Sequence, residues 1–206
     1  MNLLAHLHLS AGLDAEGTAG NVLADFLPND TKPPPGIARG ITVHRHIDGF
    51  TDRNPLVAEA RELISRPRRR LASIIVDVAF DYTLTQAWGE HSDSPLDDFI
   101  QRGYGTVQYG SRNLSERANQ MVTRMRQNRW LESYTTMSGL ALTFRRISRR
   151  SEVVEKLVGA EEEIAATLPQ LQILFDTYYP ELIHEVAELL RRMEALPTED
   201  PLRGES

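Results

Sequence analysis

Apolar residues recur along this chain at spacings of three and four, and no convincing stretch alternates with period two. The pattern therefore predicts helices separated by short breaks. Through the stretch GITVHRHIDGFTDRNP, residues 40 to 55, one such stripe runs Ile37, Ile41, His44 and Ile47 or Asp48. Ionisable side chains stand on it where leucines would serve. His44, Asp48 and Asp52 follow one another in steps of four, each about 40° around a helix axis, so they share a face.

The breaks divide the chain as follows. A first helix is expected over Leu3 to about Leu13 and a second from about Thr18 to Leu27. The segment PNDTKPPPG, residues 28 to 36, must be a loop, because three consecutive prolines cannot continue a helix. A third helix ends near Asp52, before Pro55, and a short one covers Leu56 to Ser65. Pro67 opens a long helix through about Trp88, and Pro95 begins another near 96 to 111, where Gly103 and Gly105 weaken its regularity. Further helices fall near 114 to 129, 131 to 148, 151 to 176 and 180 to 195, with Pro169 bending or splitting one and Pro180 starting the last. Residues 197 to 206 read as a disordered tail, leaving 1 to 196 as a single all-α domain.

The long helix repeats the anomaly. In IIVDVAFDYTLTQAW, residues Ile74, Asp77 or Val78, Asp81, Leu84 or Thr85 and Trp88 form one buried-type stripe. Two carboxylates four residues apart on an apolar face repel and lose hydration, so a cation is expected between them. Asn2 with His6, and Asn21 with Asp25, show the same spacing in the first two helices. His8 lies about 200° from His6 on a helix, so His6 is preferred as a ligand and His8 reads as a hydrogen-bonding neighbour or core histidine. Each residue alone has a bland reading as a core histidine, a helix cap or half of an ion pair. Together, a histidine–aspartate pair and an aspartate–aspartate pair on core-facing stripes point to a mixed imidazole and carboxylate metal site inside a helical bundle.

Composition narrows the chemistry. At 206 residues, 41% of them hydrophobic, the chain can bury the core of one globular domain. It contains no cysteine, which excludes disulfides, thiolate nucleophiles and zinc–thiolate sites, so any metal is held by nitrogen and oxygen. Carboxylate-rich coordination favours Mn²⁺ or Mg²⁺, with iron or zinc less suited. Such an ion neutralises phosphate charge and activates water, making hydrolysis of a phosphate ester the first reaction class to consider. No GxSxG, GxxxxGK[ST] or GxGxxG motif offers another route. The net charge of −6 argues against general nucleic-acid affinity. No apolar run approaches the roughly 20 residues needed to span a bilayer, and MNLLAHLHLS lacks the features of a signal peptide, so a cytoplasmic protein is expected. Arginines cluster in RPRRR, residues 66 to 70, and RRISRR, residues 145 to 150. These are solvated helix ends on the plain reading and a docking patch for an acidic macromolecule on the sharper one.

The blocks MNLLAHLHLS, GNVLADF, GITVHRHIDGFTDRNP and IIVDVAFDYTLTQAW, in that order, resemble the signature blocks of the acyl carrier protein phosphodiesterase family. The resemblance is concentrated in residues 1 to 90. It implies an all-α bundle distantly related to the histidine-aspartate phosphohydrolases. It further implies hydrolysis of the phosphodiester between 4′-phosphopantetheine and a serine of holo acyl carrier protein, with Mn²⁺ preferred and Mg²⁺ or Fe²⁺ as alternatives. The matching positions His6, Asp25, His44, Asp48, Asp77 and Asp81 are the implied metal and catalytic residues. Among them His44, Asp48, Asp77 and Asp81 are expected to hold the metal, while His6 and Asp25 complete the shell or position water. An acidic carrier protein gives Arg68, Arg69 and Arg70, or Arg145 and Arg146 with their neighbours, a role in docking. The family pattern is broken at Tyr82, Gln86 and Ala87. That break leaves open a related phosphohydrolase acting on a small phosphate ester or nucleotide, or a carrier-protein binding module without catalysis.

Overall fold

The computed structural model describes residues 2–28, 32–149 and 152–195. Over these the chain forms α1 (Leu3–His8), α2 (Ala15–Leu23), α3 (Pro35–Arg53), α4 (Pro55–Glu62) and α5 (Ala72–Gln86). They are followed by α6 (Trp88–His91), α7 (Leu96–Gly110), α8 (Glu116–Gln127), α9 (Met137–Ser148) and α10 (Ala160–Ala195). Turns of 3₁₀ helix occupy Ala24–Phe26, Arg66–Leu71, Glu132–Thr135 and Glu152–Leu157. No strand occurs among the described residues, so the fold is all-α as the periodicity requires. No helix among them is long and apolar enough to cross a membrane.

Local chemistry sets most boundaries. The Asp14 carboxylate accepts the Gly17 N–H at 2.7 Å and starts α2 earlier than expected. Pro35 opens α3, where a missing N–H costs nothing. Extended Asn54 ends α3, and its Oδ1 accepts the Leu56 N–H at 2.9 Å to start α4. α1 closes at His8, five residues before the expected end, and Gly12 at φ +92° turns the chain. The segment after Pro67 winds as 3₁₀ until Leu71 before α5 begins.

The largest departure from expectation is α10, which runs unbroken for 36 residues through both Pro169 and Pro180. Each proline forfeits a backbone hydrogen bond at a cost of about 3 kcal/mol. Burial of Leu171, Phe175, Tyr178, Tyr179 and Leu182 along the same stretch offsets it. Phe80 of α5 meets Phe175 edge-on at 5.4 Å and stacks against Tyr178 at 5.5 Å, which locks α10 across the bundle. Residues 29–31 of the expected loop, Arg150 and the expected tail at 197–206 lie outside the described residues.

Elsewhere in the bundle, α2 and α3 touch backbone to backbone. A Cβ on Gly20 would stand 2.2 Å from the Ile37 carbonyl oxygen, and one on Gly40 only 1.9 Å from that of Gly17. Only glycine permits this approach. It brings the backbone of Asn21 within reach of the next helix.

Candidate metal centre and adjoining cleft

Two buried histidines and one half-buried aspartate converge where α1, α2 and α3 meet. His6 enters from α1, while His44 and Asp48 lie one turn apart on α3. Their rings stack with centroids 4.2 Å apart. His44 Nε2 lies 3.0 Å from Asp48 Oδ2, and His6 Nε2 lies 3.3 Å from Asp48 Oδ1. One ligand atom from each of the three residues falls within 4.8 Å of the others.

Asn21 sets the orientation of both rings. Its Nδ2 donates to the His6 carbonyl at 2.8 Å and to Ser10 Oγ at 2.9 Å, so its Oδ1, 3.0 Å from His6 Nδ1, is an acceptor. The Asn21 backbone carbonyl, likewise an acceptor, lies 2.8 Å from His44 Nδ1. The network thus assigns the Nδ1 proton on both rings and turns both Nε2 atoms towards Asp48. This is the outer-shell arrangement that orients metal-ligating imidazoles. His6 Nε2 is buried and, despite its closeness to Asp48, makes no hydrogen bond. A buried lone pair facing a carboxylate requires a positive charge between them, and this donor set fits a divalent cation.

The electrostatics agree. Burial depresses the His6 pKa. Burial also acts to depress His44, but hydrogen bonds to Asp25 and Asp48 outweigh it and raise its pKa to about 9. Burial opposes ionisation of Asp48, yet the two imidazoles hold its carboxyl well below the usual carboxylate range. Asp25, on the 3₁₀ turn after α2, is held low by its hydrogen bond with His44, at 3.3 Å from Nε2.

Asp25 is largely exposed and joins this group to an open cleft of about 190 Å³. Asn2, Asp77, Trp130, Tyr134, Thr143 and Arg146 are among its other lining residues. The Tyr134 hydroxyl donates to Asn2 Oδ1 at 3.0 Å. The Arg146 guanidinium lies over the Trp130 ring, 4.6 Å from its centroid.

The structure thus brings together His6, Asp25, His44 and Asp48 and places Asp77 in the cleft beside them. Asp81 goes elsewhere. Its Oδ2 accepts the Leu4 N–H at 2.8 Å, and its Oδ1 accepts those of Ala5 and Asn2 at 3.2 and 3.3 Å. Fully buried, it caps the first turn of α1 from across the core, satisfying donors that a helix start leaves open. The positive partner expected for the Asp77–Asp81 stripe is, at Asp81, a helix N-terminus. Burial outweighs these bonds and pushes its pKa up to about 7. Asp52, third in the α3 series, is exposed and pairs with Arg61 at 2.7 Å. His8 serves a separate cluster, bonded to the Tyr179 hydroxyl at 2.8 Å and the His91 carbonyl at 3.1 Å. Tyr82, Gln86 and Ala87 are not among the residues lining the cleft.

The arginines divide similarly. Arg68 binds Glu163 and the carbonyls of Lys156 and Val158, tying the turn before α5 to α10. Arg69 pairs with Glu62. Arg70 and Arg145 are exposed, whereas Arg146 is half-buried in the cleft wall. Sequence reasoning missed Trp130, Tyr134 and Thr143 entirely, because the segments around them carry no motif that distinguishes lining from packing.

Residues 1–182 match the family model described as acyl carrier protein phosphodiesterase. A Yersinia pestis protein named acyl carrier protein phosphodiesterase is 33% identical over 188 residues, covering 90% of this chain and 97% of the relative. Proteins of the same name from Salmonella agona and Pectobacterium atrosepticum are 33% and 32% identical over 91% and 89% of this chain and 98% and 96% of theirs. No solved structure matches.

Proposed function

The chain belongs to the acyl carrier protein phosphodiesterase family, and from that premise we propose that it hydrolyses the phosphodiester joining 4′-phosphopantetheine to the serine of holo acyl carrier protein. The observation that carries the reading is the convergence of two oriented imidazole nitrogens on Asp48, with Asp25 linking them to an open cleft. His6, His44 and Asp48 would hold a divalent cation, with Asp25 as the further oxygen donor and Asp77 facing the same space. Two imidazoles beside carboxylates suit Mn²⁺ or Fe²⁺ better than Mg²⁺, which prefers oxygen alone. A cation held there supplies Lewis acidity, neutralising charge on the phosphodiester and acidifying water.

The remaining chemistry belongs to the chain. Asp25, ionised at the mouth, orients the attacking water and accepts its proton. The bond from water oxygen to phosphorus forms as the bond from phosphorus to the seryl oxygen breaks. The seryl oxygen leaves towards the open side of the cleft, where solvent returns a proton. The products are apo carrier protein and 4′-phosphopantetheine. We place this reaction in the cytoplasm, on the carrier protein of fatty acid biosynthesis.

Mass spectrometry of holo acyl carrier protein incubated with this protein and Mn²⁺ is expected to show loss of the prosthetic group, and a chelator is expected to abolish it. An intact holo protein at every metal concentration would sink the reading. Exposed Arg70 and Arg145 are the proposed docking cations for the acidic carrier. Reversing both charges should slow association and flatten its salt dependence, measured as kcat/KM against ionic strength, with kcat nearly unchanged.

A further inference from the structure

Charge is divided along this chain far more unevenly than its total of −6 suggests. From residue 112 to residue 149 the charged side chains are eight arginines and two glutamates, so the rest of the chain carries the whole acidic excess. Glu116 accepts from Gln120 at 3.1 Å. Glu132, largely buried, accepts from the Tyr104 hydroxyl at 2.7 Å and, of the arginines, pairs with Arg129 at 3.4 Å. Arg117 and Arg124 stand seven residues apart, two turns along one face of α8, with no acidic residue three or four positions from either. Both are exposed and, like Arg145 on α9, form no ion pair among the described residues.

Two of these arginines are placed against local preference. Arg117 is in the first turn of α8, where the helix dipole disfavours a cation. Arg129 takes φ +48°, the left-handed conformation that favours glycine, in the turn that ends α8, where the Trp130 N–H donates to the Met125 carbonyl at 3.0 Å. Positive charge is kept where the helix itself would be better served without it. The Arg146 guanidinium over the Trp130 ring brings α9 to the end of α8. Arg129 and Arg145, each the chain neighbour of a cleft-lining residue, therefore stand beside the cleft. Leu142, 55% exposed and one turn before Arg145, gives the face an apolar point.

We infer that the outer face of α8, from Arg117 and Arg124 through Arg129 to Arg145 and Leu142 on α9, is the surface on which the acidic carrier protein docks. The inference rests on the proposed reaction for the identity of the partner, and it adds to Arg145 a helix that no sequence motif singled out. Charge complementarity favours a small acidic domain over a nucleic acid. A long polyanion running off this face meets the acidic remainder of the chain, whereas a compact domain confines its contacts to the arginines. A domain seated here lies beside the cleft, so an arm attached to it enters the space that Asp25 lines.

The test follows binding of fluorescently labelled apo acyl carrier protein, which has no phosphodiester to cleave, to the full chain supplied with Mn²⁺, by anisotropy at several ionic strengths. Four chains are compared: the unaltered one, Arg117→Glu/Arg124→Glu, the neutral pair Arg117→Gln/Arg124→Gln, and Arg191→Glu/Arg192→Glu. The last makes the same change of net charge at two exposed positions of α10. Reversal on α8 should weaken binding at least about 10-fold at low salt, and neutralisation should weaken it less. Both deficits should shrink as salt rises, since screening acts on exposed charges. The α10 reversal should leave binding nearly unchanged. Helical content and unfolding midpoint should be unaltered on α8, where Arg117→Glu supplies the anion that a helix start prefers, so a lost fold does not account for lost affinity.

Undiminished affinity in the reversed α8 chain would overturn the inference, as would an equal loss in the α10 variant, which would make net charge alone responsible. So would an unaltered chain that binds no carrier. Duplex DNA that binds more tightly than the carrier and is released by the same reversal, or a dimer that the reversal dissolves, would overturn it too, giving the face to a nucleic acid or to a second copy. Release of the prosthetic group from holo carrier protein is scored separately. Hydrolysis whose kcat/KM survives the α8 reversal overturns the docking face alone, whereas binding lost on reversal with no hydrolysis by the unaltered chain upholds the face and fails the reaction.

Discussion

Asp48→Ala is expected to abolish divalent-ion binding and prosthetic-group release together, each by at least about 100-fold. Loss of an outer-shell partner alone costs 10- to 100-fold in metal affinity, and Asp48 is the residue on which both Nε2 atoms converge. The unaltered chain should also show a proton linkage that the variant lacks. Without a cation, His44 keeps a proton on Nε2 to about pH 9, above the ordinary imidazole value of 6.5. The stability this proton contributes is complete below about pH 6.5 and is lost as pH rises through about 9. A cation has to displace it. Mn²⁺ binding at neutral pH should therefore release a proton, and apparent affinity should climb with pH to about 9 and then level. Titrations in buffers of different ionisation enthalpy read the released proton directly. An Asp48→Ala protein retaining Mn²⁺ affinity would remove the centre as described.

Asp81→Ala is expected to fail differently. It strips the acceptor from three backbone N–H groups at the start of α1, two of them deep in the core. Unpartnered buried donors of this kind cost about 1–3 kcal/mol each, so a combined loss of about 3 kcal/mol or more should appear as an earlier urea midpoint with unchanged slope. Asp81→Asn, which keeps one acceptor oxygen, should lose less. Because burial raises the Asp81 pKa to about 7, the folded chain retains a proton that the unfolded chain sheds near pH 4. Stability should therefore fall as pH climbs from about 4 to about 7 and gain no further slope from this group above that. Asp81→Asn should lack this slope. Measured on the folded fraction, Mn²⁺ affinity should change far less than in Asp48→Ala; equal losses would return Asp81 to the ligand set.

The contrast between these aspartates shows what was readable in the chain. His44 and Asp48 sit one turn apart on a single amphipathic helix, and local periodicity suffices to place them on one inward face. Periodicity also marked Asp81 as buried, correctly, but burial does not name a partner. The N–H groups that hold it lie 76 to 79 positions away and become visible only once α1 packs against α5. The role of Asn21 was hidden because half of it belongs to a backbone carbonyl, which no residue type announces. Arg146 carried a signal, a basic cluster, that suggested the outer surface; in the structure it is half-buried in the cleft wall and lies over the Trp130 ring. Pro169 and Pro180 misled in the other direction, since the aromatic packing that outweighs them is assembled from α5 and α10 together.

Because one asparagine pins both imidazoles through their far nitrogens, the polypeptide fixes the aim of the donors before any ion arrives. If the proposed cation binds there, loading is expected not to require folding around it, unlike in small domains that collapse only around their metal. A chelator-treated protein is then expected to keep its helical content and unfolding cooperativity, so that occupancy would follow the ambient supply of ion up and down without refolding.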